Sequence, residues 1–508
     1  MKSKQSHSII REIVLALLCA TNAFAQTAPA DSRKTSPDIT SKSAESLKSV
    51  ENLKIENLVL LGQAAPPEVA ADVLLTLVAT QPAITKTRKQ ELIEEAFRFA
   101  GNAREPVRRE SWSAIVDTRS GLKQAAFELE LDKLSLQTRA VMQMMALDRI
   151  RARAMFADIA LPKLPELTCE DALSYNVDSY YRAAVAISEN CFDRNEQKAE
   201  AHVQFLSERL GNIKTVPQVA GAAKALLDVK VSADELMLLA NTFADVLDRV
   251  SPNARLFAFA MARQRLGSSL WRLVQKSKGQ KVPTIDLTRA IRSFLVRQFS
   301  GEVCLDAPWL DGRALKIPSE VNYLNAEFAQ PIVADDLHPL SFGPVAKNRQ
   351  FWTMPREKEL LMLAKDLRFG DTETGLTLAQ RQTDEWRKKL NDYLDLIEDW
   401  QPESEVSAED YFQEKCILYS VLVELCPDDA QRDVVLRAYA AYLREQNREY
   451  KGRIEWILPV KHYLSRLREK TRDEWQKSLD PWLTSNDAAL QVYAELTLLR
   501  NGTGGATP

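Results

Sequence analysis

Residues 232–278 read "SADELMLLANTFADVLDRVSPNARLFAFAMARQRLGSSLWRLVQKSK". Leu236, Leu239, Ala240, Phe243, Val246, Leu247 and Val250 recur at steps of three and four, which places them on one apolar stripe of an α-helix. Ser232 with Glu235 three positions on has the form of a capping box, so the helix is predicted to start there. Ser251 followed by Pro252 reads as the N-cap and first residue of the next helix. So short a turn is expected to pack the two helices antiparallel.

The same grammar returns at 407–446, "SAEDYFQEKCILYSVLVELCPDDAQRDVVLRAYAAYLREQ", where Ser407 opens one helix and Pro427-Asp428-Asp429 divides it from the next. Antiparallel pairs of this length are the building unit of α-solenoids. No residue-level repeat aligns the pairs, and the tetratricopeptide pattern of Trp, Leu-Gly and Tyr is missing. The expectation is an all-α fold, an irregular α-solenoid or a multi-helix bundle of antiparallel helix pairs. Glycine agrees, with 16 in 508 residues against a usual share of about 7%. Hairpin turns and phosphate-cradling loops both draw on residues that tolerate positive φ.

The N-terminus has Lys2, Lys4 and Arg11, then the apolar run "IVLALLCATNAFA", then Ala23-Phe24-Ala25. This predicts a signal peptide over 1–25, cleaved after Ala25, and a periplasmic or secreted protein. A lipoprotein would acylate Cys19, but Leu18 stands where such signals carry a small residue. Residues 26–45 are rich in Ser, Thr, Pro and charge and read as a disordered leader. An N-terminal helical domain follows over 46–300. Residues 301–355 hold six prolines and break the helical rhythm, as a Pro-rich irregular junction. A C-terminal helical domain over 356–500 and a flexible tail over 501–508 complete the chain. No later stretch has transmembrane length without charges.

Without residues 1–25 the formal charge moves from −3 to −5. That balance offers no electrostatic footprint for nucleic acid or anionic membrane. Arg149 and Arg153 in "DRIRARAMF" share a helix face while Arg151 points away, which suits a solvated surface.

Five cysteines remain after cleavage. With no CxxC and only His202, His338 and His462 as imidazoles, neither a structural zinc site nor a thioredoxin-like pair is expected. Export makes a disulfide the default. Cys416 and Cys426 lie ~15 Å apart along one helix, beyond disulfide reach, and read as buried thiols. A helix from near Val177 to near Cys191 keeps Cys169 and Cys191 apart unless the chain folds back. The bond is expected to join two of Cys169, Cys191 and Cys304.

GxSxG, HExxH, the Walker loop and GxGxxG are all missing. In "RAVMQMMALD", Met142, Gln143, Met144 and Met145 are similar to the Gly-Leu-Met-Gln signature of lytic transglycosylases, which mount a catalytic domain on a helical solenoid. Ala140 or Val141 replaces the glycine, no Glu-Ser precedes nearby, and the spacing fits the apolar side of a helix. The better catalytic candidates are Asp335, Asp336 and His338 in "VADDLHPL", able to hold a divalent cation or to pair carboxylate with imidazole. Asp306 and Asp311 flank Trp309 in "CLDAPWLDG", a texture found where sugars stack. No cofactor and no metal is expected. The leading reading is an exported, non-catalytic helical binding or scaffold protein whose partner is a protein or an envelope polymer. The alternative is an extracytoplasmic carboxylate-dependent hydrolase or lyase on a helical scaffold, which requires these residues to converge in one cleft.

Overall fold

The computed structural model describes residues 40–103, 107–109, 130–160, 167–169, 172–174, 177–262, 264–305, 307, 309–311, 314–343, 355–370, 372, 375–401, 408–450, 459–461, 463–464, 479–480 and 482–502. Residues 1–39, which cover the expected signal peptide and most of the expected leader, fall outside them. Helix α1 (Thr40–Gln63) already includes the last residues of the stretch read as leader. Contacts divide the chain after Val50, and everything below belongs to the unit from Glu51 onward.

The fold is all-α with very little strand. After α1 come α2 (Pro67–Thr80), α3 (Lys86–Gly101), α4 (Lys133–Met145), α5 (Arg149–Ala157), α6 (Val177–Asn190), α7 (Arg194–Lys198), α8 (Ala201–Gly211) and α9 (Val216–Asp228). Then follow α10 (Ala233–Arg249), α11 (Ala254–Ala262), α12 (Leu266–Gly279), α13 (Ile285–Ser300) and the short α14 (Ser319–Asn325). One row runs α2, α4, α6, α9, α12, α14, each packed on the one before. Helices α8, α10 and α13 stand in a second row against it. The buried apolar side chains of these helices belong to one continuous core.

Helix α10 bears out the stripe that opened the sequence reading. Leu236, Leu239, Phe243, Val246 and Leu247 are fully buried, and Ser232 accepts from the Glu235 amide in a complete capping box. The next helix differs from expectation. Asn253, not Ser251, caps it: its Oδ1 accepts from Leu256 N at 2.9 Å while Nδ2 reaches Leu167 O at 3.4 Å. Helix α10 packs chiefly on α8 and α13 rather than on its successor, because Val250 is extended and turns the chain away. The successor is two helices, α11 and α12, parted where Arg265 takes a left-handed φ of 54°.

In the transglycosylase-like stretch, Ala140, Val141 and Met144 are fully buried in α4. Gln143 donates to Leu75 O at 3.0 Å, tying α4 to α2. The stretch is a core stripe.

Further on lie α15 (Pro355–Phe369), α16 (Leu378–Arg381), α17 (Asp384–Asp399), α18 (Ala408–Leu425), α19 (Asp429–Tyr450) and α20 (Ala488–Gly502). Helices α18 and α19 pack as the second hairpin read from the sequence, with Asp428 capping α19 through Gln431 N at 2.9 Å. Ser407 lies outside the described residues. In this part Tyr419 stacks on Tyr439 and also meets Tyr442, Tyr439 meets Tyr463 edge-on, and Tyr463 meets Trp482, with centroids 5.2–5.9 Å apart. Helix α20 returns to pack on α2.

Candidate functional site

The proline-rich segment is built on a small pairing. Strand β3 (Glu302–Cys304) runs parallel to β6 (Ser341–Gly343), with Cys304 opposite Gly343. Between them β4 (Leu310–Asp311) and β5 (Ala314–Leu315) form a two-residue antiparallel pair. β1 (Val107–Arg109) and β2 (Ala172–Ser174) make the remaining described pair. The amide of Leu340 donates to the carbonyls of Ser300 and Gly301 at 3.2 and 3.1 Å. Cys169 and Cys304 form a disulfide, Cα atoms 5.4 Å apart and 135 residues apart in sequence. Two of the three cysteines weighed as candidates are thereby joined. Cys191, Cys416 and Cys426 are buried thiols. Gly343 lies against the bond: a Cβ there would collide with Cys169 Sγ and crowd its Cβ at 3.2 Å.

Asp335 and His338 are exposed, on and just after a single 3-10 turn. Asp336 already has two partners. Its Oδ2 accepts from Arg292 Nη2 at 3.1 Å and from Val333 N at 3.2 Å, and Arg292 Nε donates to Gln330 O at 2.7 Å. Arg292 on α13 thus ties the loop down, and the carboxylate serves the turn. Asp306 and the side chain of Asp311 lie outside the described residues. Trp309 is 6% exposed and packs between Phe257 and Phe299, centroids 5.2 and 5.6 Å away, so its ring is covered by protein and not open to a sugar.

Three clusters around buried or half-buried charged side chains escaped the sequence reading. Asp72 on α2 meets Arg139 Nη2 at 2.8 Å, Lys461 Nζ at 2.5 Å and the Tyr493 hydroxyl at 2.9 Å. Burial alone would raise its pKa, but the Lys461 and Arg139 charges overcome this and hold the carboxyl well below its usual range. Lys461 itself is pushed down by burial against the pull of Asp72. Lys415 on α18 donates to Glu398 O and Trp400 O, both at 3.1 Å, and to the Tyr411 hydroxyl at 2.9 Å. Burial pushes it down to about 8. Lys276 on α12 donates to Leu226 O, Leu227 O and Val229 O at 2.9, 3.0 and 2.6 Å, and burial pushes it down as well. Each of these cations closes or clamps helices. A local motif search has no signal for such partners, up to 421 residues apart.

A small apolar cavity lined by Tyr181, Leu206, Arg209 and Val229 has room for about one water. Among the described residues no group of three His, Cys, Asp or Glu side chains is placed to hold a metal ion, and no helix is long and apolar enough to cross a membrane. No protein-family model, no curated protein and no solved structure matches the chain.

Proposed function

We propose that the chain is an exported helical binding or scaffold protein, with no catalytic role of its own, acting on a protein or envelope-polymer partner. One observation carries this reading. The loop 330–343 is fastened by the Arg292 contacts, the Leu340 amide and the β3–β6 pairing beside the disulfide, yet it presents Val333 (51% exposed) and Leu340 (86% exposed) to solvent. Apolar side chains held outward by a fastened loop suit recognition, because little entropy is lost when a partner covers them. The Cys169–Cys304 bond supports export, since such bonds persist in oxidising compartments.

The test uses the mature chain and a Val333→Asp/Leu340→Asp variant as baits, offered solubilised envelope proteins and isolated envelope polymer separately. The wild type is expected to retain a partner that the variant loses, with circular dichroism and melting temperature unchanged. Equal retention by both baits would overturn the reading.

A further inference from the structure

Among the described residues Tyr323, at 62% exposure, is the one aromatic side chain that stands well out into solvent. Its ring lies 5.8 Å from that of the half-buried Trp271, tilted by 45°. The two come from α14 and α12, which approach closely at Gly267, where a Cβ would meet Glu320 Cβ at 2.8 Å. Trp271, Gln275 and Lys278 are four and three residues apart on α12 and share one face. Across the seam, Glu327 accepts from Gln275 Nε2 at 2.8 Å and pairs with Lys278. An aromatic platform therefore continues directly into an amide, a carboxylate and an ammonium.

We propose that this α12–α14 seam is a binding site for a glycan, with one sugar ring laid on Tyr323 and its hydroxyls bonded by Gln275, Glu327 and Lys278. The C–H face of a pyranose carries slight positive charge and suits the negative face of an aromatic ring. The ring's equatorial hydroxyls need donors and acceptors side by side at the platform's edge. Lys278 keeps two further N–H donors, Gln275 an acceptor oxygen and Glu327 spare lone pairs. The Lys278 hydrogen bond holds the Glu327 carboxyl below its ordinary range, so it accepts across neutral pH. A proline-rich peptide would use the aromatic pair but has no hydroxyls for the polar triad. The proposal rests on the polymer branch of the reading above, at a different surface from Val333 and Leu340.

The mature chain is titrated with N-acetylglucosamine oligomers, with glucose oligomers and with a polyproline peptide, following tryptophan fluorescence, with Trp271→Phe identifying the reporter. Saturable binding of one of the oligosaccharides is expected, weakened about five- to tenfold by Tyr323→Ala and little changed by Tyr323→Phe. Lys278→Met and Glu327→Gln should each weaken it several-fold. Binding of the peptide alone, binding indifferent to Tyr323→Ala, or no binding of either oligosaccharide overturns the proposal. Because Val333 and Leu340 are intact in all these variants, failure here leaves the loop-based result to be judged separately.

Discussion

Lys276 Nζ sits 2.6 Å from the carbonyl oxygen of Val229, the residue that closes helix α9. The contact recurs in kind. Arg153 reaches Cys191 O at the end of α6, Arg297 reaches Leu247 O in the last turn of α10, Lys415 reaches Trp400 O after α17, and Arg381 reaches Leu425 O at the end of α18. Many helices end on a left-handed glycine. Here, among the described residues, only Gly370 and Gly375 take positive φ as glycines. A chain poor in glycine closes these helices with cations from elsewhere in the fold, which also suits the negative end of the helix dipole.

Replacing Lys276 by Met keeps the aliphatic stem and orphans three carbonyls. The variant is expected to lose about 1–3 kcal/mol of stability. Urea unfolding checks this, and an unchanged midpoint with an unchanged slope would contradict it.

Asp72→Asn removes the carboxylate bonded to Lys461 in its buried site. A cost of about 3–5 kcal/mol is expected, because breaking a buried pair strands its partner. The pH dependence follows from the depressed folded-state pKa. The stabilisation is complete above the ordinary value of 3.8 and is lost as pH falls below it. Wild type and variant should therefore differ by a constant amount from neutral pH down to about pH 5 and begin to converge only as pH falls below about 4.

Lys415 acts in the same sense, but in the alkaline range. Its folded pKa of about 8 lies below the ordinary 10.5, so between these values the unfolded chain binds the extra proton and stability rises with pH. Subtracting a Lys415→Met variant, which shares every other titrating group, should isolate that rise. A difference that is flat from pH 7 to 10 would refute the assignment.

Denatured, unreduced mature protein should show three reactive thiols, those of Cys191, Cys416 and Cys426. Gly343→Ala is expected to cost about 1–3 kcal/mol through overpacking against Cys169. Five reactive thiols would remove the disulfide from the account.

The stripe of α10, the Val177 start of α6 and the α18–α19 pair were legible because periodicity and caps are local. The disulfide was narrowed to three cysteines by spacing, but choosing Cys304 required the fold to bring strand β3 to residue 169. The Asn253 cap was missed because Ser251-Pro252 carries the commoner signature, while Asn253 gains from a contact 86 residues away. Asp336 read as a candidate ligand because its partner, Arg292, lies 44 residues upstream. The Trp271–Tyr323 seam had no sequence signal at all, since its two sides meet only after α12 and α14 pack.

The claim that the chain binds without performing chemistry meets its most direct test in one comparison. Wild type and an Asp335→Asn/His338→Ala variant are incubated with isolated envelope polymer, and bound protein and released soluble fragments are both measured. Equal binding and no fragments from either is the expected result. Fragments released by the wild type and lost in the variant would contradict the account and restore a hydrolase or lyase.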